Sequence, residues 1–223
     1  AGGSVLSFSG NTCWWQSRLE EDGLTCYKFE AADDPYQAID PALVTTWWDG
    51  PPVNDPPSRL LGLTWREGGM VNWSTSWNCP CAWDWLEGHG GYTVDRADHW
   101  VFAGTGLADG VQFGRDYAVV GYEVDGAPAE WVAGRPQILP EGGTPPGFTV
   151  LGHAPCFNKY QGDSTGLGMM GIIERGSSFV FNGGTTGWCW GLPRDPQVQR
   201  VTRNLIERLA TAGPGAGPAT LRV

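Results

Sequence analysis

Basic clusters, long apolar runs and histidines are all scarce in this chain. Its 223 residues carry 14 Lys and Arg against 24 Asp and Glu, a formal charge of −10, and no Lys/Arg cluster stands out. A surface that neutralises phosphates is not expected, so nucleic acid is not an expected partner. No apolar run approaches the ~20 residues a membrane helix needs, and no membrane partner is expected. With only His89, His99 and His153, an all-histidine metal site would use every one. The six cysteines permit disulfides, but a chain this long does not need them. Cys79-Pro80-Cys81 lacks the second pair that would complete a zinc site. The first eleven residues hold no methionine and no leader. They read as a helix end, a glycine stop, a short strand and a polar turn, so the chain is expected to start inside a larger, N-terminally truncated domain.

What is present points to a globular protein. Hydrophobic content is 41% and charged content 17%, enough apolar surface for a full core. The 34 Gly and 17 Pro show no repeat, which implies tight turns and long ordered loops. Thirteen Trp invite two readings: packing by large amphipathic rings, or a stacking surface for a sugar or apolar ligand. Asn72-Trp73-Ser74 fits a glycosylation sequon, which matters only in a secreted protein.

Val5 to Phe8 reads as a short strand buried in a parallel sheet, with Ser9-Gly10-Asn11 at its carboxyl end. Ligands bind at that edge in open α/β sheets. Leu24–Phe29, Val44–Trp48, Leu60–Trp65, His99–Ala103 and Ala118–Val124 read as strands, with turns at Asp22-Gly23 and Asp125-Gly126. Residues 66–91 read as a long loop or insertion with Trp anchors. Phe148–His153 alternates, and Gly168–Glu174 with Ser178–Asn182 forms a hairpin around Arg175-Gly176-Ser177. Asp195 is an N-cap and Pro196 the first residue of the clearest helix. Its apolar stripe is Val198, Val201, Leu205, Ile206 and Leu209, with Arg200, Arg203 and Arg208 toward solvent. Residues 1–211 are expected as a single α/β domain and 212–223 as a Gly/Pro-rich tail.

Several strings together resemble one family: Ser9-Gly10-Asn11-Thr12-Cys13-Trp14-Trp15-Gln16, Asp98-His99-Trp100-Val101-Phe102-Ala103-Gly104-Thr105-Gly106-Leu107 and Val120-Gly121-Tyr122-Glu123-Val124-Asp125. Phe181-Asn182, Gly184-Thr185-Thr186-Gly187-Trp188, Asp195-Pro196 and Thr202-Arg203-Asn204 complete the set. Over residues 1–210 the chain is similar to the C-terminal region of the large (β) subunit of N,N-dimethylformamidase and its bacterial relatives. The resemblance implies an α/β, class I glutamine amidotransferase-like (flavodoxin-like) sheet with long loop insertions. It implies earlier strands of the same domain, or another chain, completing the sheet. It also implies hydrolysis of a small amide with iron held by two tyrosines and a glutamate, although no residue-by-residue match to those ligands is found here.

The residues themselves offer three candidate chemistries. Cys13 lies near the first turn and suits a nucleophile, with His89, His99 or His153 as its base; the alternative is a buried thiol beside Trp14 and Trp15. Ser9 lacks the frame of a nucleophile elbow. A mixed metal site drawing on His99, Asp98, Glu123 or a tyrosine suits a ferric ion. Otherwise His99 is a hydrogen-bonded histidine, and Glu123 is a carboxylate paired with Arg175, Arg203 or a loop amide. Asn11 and Thr12, with Asn182, Thr185 and Thr186, form one polar crevice if their strands are neighbours; the alternative is loop capping. Asn204 is expected to anchor a loop. Two functions follow: a domain of an amide hydrolase, or a non-catalytic binding or scaffold domain whose Trp-rich loop at 73–85 recognises a partner.

Overall fold

A computed structural model describes residues 3–73, 84–85, 90–158 and 165–211. The strands are β1 (Val5–Ser7), β2 (Arg18–Glu20), β3 (Gly23–Thr25), β4 (Thr64–Met70), β5 (Asn72–Trp73), β6 (Asp84–Trp85) and β7 (Tyr92–Val94). They continue as β8 (Gln112–Phe113), β9 (Glu123–Gly126), β10 (Ala129–Val132), β11 (Arg135–Ile138), β12 (Thr149–Phe157), β13 (Thr165–Arg175) and β14 (Ser178–Asn182). The α-helices are α1 (Ser58–Leu61), α2 (Trp188–Gly191) and α3 (Pro196–Thr211).

One mixed sheet dominates. Its order is β1-β14-β13-β12-β4-β9, with β7 on β12 and β8 on β7. Only β1 and β14 pair in parallel; the other ladders of this sheet are antiparallel. The architecture is therefore mixed α/β with few helices. The β13–β14 hairpin forms where the alternation placed it, with Arg175 opposite Ser178 across Gly176-Ser177. A second cluster of turns and short 3-10 helices holds residues 14–55. There Asp34, 2% exposed, accepts from the Thr45 backbone N–H at 2.9 Å and hydroxyl at 2.8 Å, from Tyr36 N at 3.0 Å and from Arg18 at 3.1 Å.

The core lies between the sheet and the C-terminal helices. Trp188 of α2 and Val198, Val201 and Leu205 of α3 pack with Tyr92, Phe181 and Ile172. Asp195 caps α3 as its position implies, accepting from Gln197 N at 2.9 Å and Val198 N at 3.0 Å. The buried stripe is narrower than the periodicity suggests, since Ile206 is 52% exposed and Leu209 41%. The opposite face is closed by Leu63, Ala127, Val150 and Met169.

Five expected strands differ: Leu24–Phe29 is strand only to Thr25, where β3 ends, and the loop expected from residue 66 begins inside β4. His99–Ala103 is a 3-10 turn over Trp100–Phe102, because the His99 side chain accepts from Val101 N and ends any extended run. Val44–Trp48 makes only a single bridge, Trp47 to Trp15; its backbone bonds go instead to Gln16, Lys28 and the Asp34 side chain. Leu60–Trp65 is split by the end of α1 at Gly62, φ 80°, before β4 begins. Ala118–Tyr122 is loop, with positive φ at Ala118 and Tyr122, and the strand starts only at Glu123. Val5, expected to be buried, is 37% exposed, because β1 pairs with β14 alone.

Candidate functional site

Two parallel strands end on the same rim. The last pair of β1 and β14 is Ser7 with Asn182, and Gly183 N donates to Ser7 O at 2.7 Å. The chain leaves β1 through Phe8–Thr12 and leaves β14 through Gly183–Thr186. Strand β9 joins them there. Val124 bridges Thr185, Asp125 N donates to Gly184 O at 2.9 Å, and Thr186 N donates to Glu123 O at 3.1 Å. Gly10 is wedged between these segments. A Cβ on it would lie 2.7 Å from Glu123 O and 3.2 Å from both Thr185 Cα and Thr186 N. Only glycine allows so close an approach of three backbones.

This convergence brings Asn11, Thr12, Glu123, Asn182, Thr185 and Thr186 into one neighbourhood. Asn11 Nδ2 donates to Glu123 Oε1 at 2.8 Å, so the loop amide expected to pair with this carboxylate is Asn11. Asn11 N donates to Asp125 Oδ1 at 2.7 Å. Asn182 Nδ2 donates to Asp125 Oδ2 at 3.3 Å, and Asn182 Oδ1 accepts from Gly184 N at 2.9 Å. The Thr185 hydroxyl donates to Val119 O at 2.8 Å and accepts from Gly121 N at 3.2 Å. Thr186 Oγ1 donates to Gly121 O at 3.0 Å. Both threonines thus tie the 119–123 loop to the exit of β14. Beneath them the Tyr92 hydroxyl donates to Gly183 O at 2.8 Å.

The chemistry of this rim is that of acceptors. Asp125 is 1% exposed, and burial pushes its carboxyl up to about 6 against the Asn11 N–H and Asn182 bonds, with Glu123 adding to the rise. Among the described residues, Asn11 Oδ1 and Thr12 Oγ1 are buried without a hydrogen-bond partner. A buried amide oxygen calls for a donor, and a buried hydroxyl for a partner of either kind. Of the seven non-glycine residues at positive φ in the described chain, four border this rim: Asn11 (52°), Cys13 (60°), Ala118 (50°) and Tyr122 (59°). Backbone strain concentrated in this way marks functional loops.

The other candidates take no part in these bonds. Cys13 is exposed, and neither described histidine is bonded to it. His99 sits 3.5 Å from Glu174, which pairs with Phe179, three residues along β14 from Asn182 and about 10 Å down the strand. Burial, the largest influence, lowers the His99 pKa against the pull of Glu174. His153 Nδ1 is held by Asp95 at 2.9 Å. Asn204 anchors the loop as expected, donating to Val101 O and Ala103 O at 2.9 and 2.8 Å. His89 and the Cys79-Pro80-Cys81 pair lie outside the described residues, as does most of the Trp-rich loop at 73–85.

No three His, Cys, Asp or Glu side chains converge among the described residues. Burial raises the Tyr92 pKa well above its ordinary value, and its hydroxyl is committed to a carbonyl. Burial also raises Tyr122, next to Glu123.

Asp125, the buried centre of the rim, reads in sequence as half of an Asp-Gly turn. A signal was present: in Glu123-Val124-Asp125 the two carboxylates are two residues apart, so a strand puts them on one face. The rim continues into an aromatic cluster. Trp14 stacks edge-on against Trp65 at 4.8 Å and lies 5.7 Å from Trp47. The Arg66 guanidinium covers Trp47 at 5.3 Å and donates to Asp49 at 3.0 Å.

A family described as "N,N-dimethylformamidase beta subunit-like, C-terminal" matches residues 1–202, and the chain belongs to it. No curated protein matches the chain. No helix among the described residues is long and apolar enough to cross a membrane.

Proposed function

From membership of this family, we propose that the chain is the C-terminal domain of an amide (C–N bond) hydrolase and that Asn11 and Glu123 face its substrate. The observation that carries this is the 2.8 Å contact between Asn11 Nδ2 and Glu123 Oε1, beside the unpartnered Asn11 Oδ1 and Thr12 Oγ1. An acceptor-rich rim suits the N–H of an amide or the amine it releases. In this reading Glu123 takes a proton from water, whose oxygen bonds to the amide carbonyl carbon. The C–N bond breaks and the proton passes to the leaving nitrogen, giving an acid and an amine. Asn11 orients the carboxylate and accepts from the nitrogen. No step here requires Cys13 or His99.

The same reading extends to the fold. The free edge of β1 is where further parallel strands of an amidotransferase-like sheet would pair, supplied by an upstream segment or a partner subunit. The family description names a β subunit, which supports a partner chain.

The test is amine release from a panel of small formamides and alkyl amides by the full-length protein. Glu123→Gln is expected to reduce turnover by about 10²–10⁴-fold, the usual worth of a general base. Turnover unchanged in Glu123→Gln, or absent across the panel in the wild type, removes the reading.

A further inference from the structure

Asp125 is the most deeply buried carboxylate on the rim, and the hydrolytic reading gives it no task. It joins three chain segments that have no covalent link nearby. Its Oδ1 takes the Asn11 backbone N–H at 2.7 Å, its Oδ2 takes Asn182 Nδ2 at 3.3 Å, and its own N–H goes to Gly184 O at 2.9 Å. Asn182 closes the ring through Gly184 N at 2.9 Å. The residue it grips, Asn11, stands at φ 52°, in the left-handed region that asparagine enters more readily than most residues. The grip is on the backbone of the residue whose side chain reaches Glu123.

We propose that Asp125 is a positioning residue: its buried carboxylate holds the Asn11 backbone in the left-handed turn and so sets the Asn11–Glu123 contact. The proposal rests on the reading of Asn11 and Glu123 as the substrate-facing pair, but its mechanical core does not need a substrate. A charged carboxylate makes a stronger bond to an N–H than a neutral one. Taking up a proton on Oδ2 also displaces the Asn182 donor, whose bond is the longer of the two. The charged and titratable groups facing Asp125 are Glu123 on its own strand and Tyr92 from β7; Asn11 and Asn182 are neutral, and no described cation acts on it. With its carboxyl pushed up to about 6, the clamp changes state within an accessible pH range.

The experiment follows the Asn11 backbone amide of the full chain by ¹H–¹⁵N NMR from pH 4.5 to 8, in the wild type, Asp125→Asn and Asp125→Ala. In the wild type the resonance is expected to titrate with a midpoint near 6. Asp125→Asn keeps an acceptor oxygen, so the amide should stay bonded and the titration should vanish. Asp125→Ala should raise Asn11 amide exchange by about tenfold or more. In that variant kcat on whichever amide is turned over should fall by about 100-fold, the cost of a misplaced group, with little change in KM. An Asn11 resonance that does not titrate in the wild type, or that titrates equally in Asp125→Asn, overturns the proposal. That readout stands even where Asp125→Ala fails to fold. It also stands where no amide is hydrolysed, an outcome that removes the functional reading but not the clamp.

Discussion

Replacing Gly10 by alanine is the sharpest structural test of the rim. The added Cβ would sit 2.7 Å from Glu123 O, 3.2 Å from Thr185 Cα and 3.2 Å from Thr186 N. Ordinary contact lies at about 3.5–4.0 Å, so the nearest atom must retreat by roughly 0.8 Å. All three neighbours are backbone, and no side chain can rotate aside to make room. Overpacking of this kind costs about 1–3 kcal/mol. For a domain of this size that lowers Tm by roughly 2–12 °C, at about 2–4 °C per kcal/mol. Calorimetry on Gly10→Ala and Gly3→Ala separates the packing effect from chain entropy. Gly3 has nothing within 4 Å of an added Cβ, so its alanine variant should be neutral or slightly more stable. If Gly10→Ala melts within about 1 °C of the wild type, the three-backbone convergence is wrong. An equal fall in both variants would sink the argument as well.

Tyr92→Phe removes the donor to Gly183 O and should lower stability by about 1–3 kcal/mol in urea titrations, since the carbonyl stays buried. Asp34→Ala orphans the Thr45 and Tyr36 donors and Arg18, and should cost about 3–5 kcal/mol by the same measurement. The two buried aspartates also respond to pH with opposite signs. Burial is the largest influence on Asp34, but its hydrogen bonds to Thr45, Arg18 and Tyr36 outweigh it and hold the pKa well below the ordinary carboxylate range. Its stabilisation is therefore present above about pH 4 and lost below it. Asp125 is raised, so its folded state holds a proton that the unfolded state has released. Stability should fall by about 3 kcal/mol as pH rises from about 4 to 6, and Asp125→Asn should flatten that slope in denaturant midpoints taken across the range.

Much of the rim was readable because its residues are chemically unusual for their positions. A glutamate in an apolar run had to have a partner, and polar residues after Val5–Phe8 and after β14 had to meet if those strands paired. What could not be read was the pairing pattern. The Arg175-Gly176-Ser177 turn marked the antiparallel β13–β14 hairpin, but apolar runs alone do not encode which distant strands pair, as β12 does with β4 and β7. The strand assignments failed where a side chain took over a backbone duty, as His99 does at Val101 N and Asp34 does at Thr45 N. Asp125 was hidden because Asp-Gly is a strong turn signal and its burial depends on Asn11, which is 114 residues away.

The spans of these bonds have a consequence for how the molecule forms. Asn11 meets Asp125 across 114 residues, Asn182 meets Asp125 across 57, and Ser4 caps Phe179 across 175. Strand β1 is synthesised long before its partner β14 and pairs only once that strand exists. Closing loops of that length makes for slow folding. The hairpin of β13 and β14 is local and can appear early, whereas the rim is assembled only when β1 docks on β14. A nascent chain halted before Asn182 would therefore hold a partial sheet but neither the Asn11 turn nor its clamp.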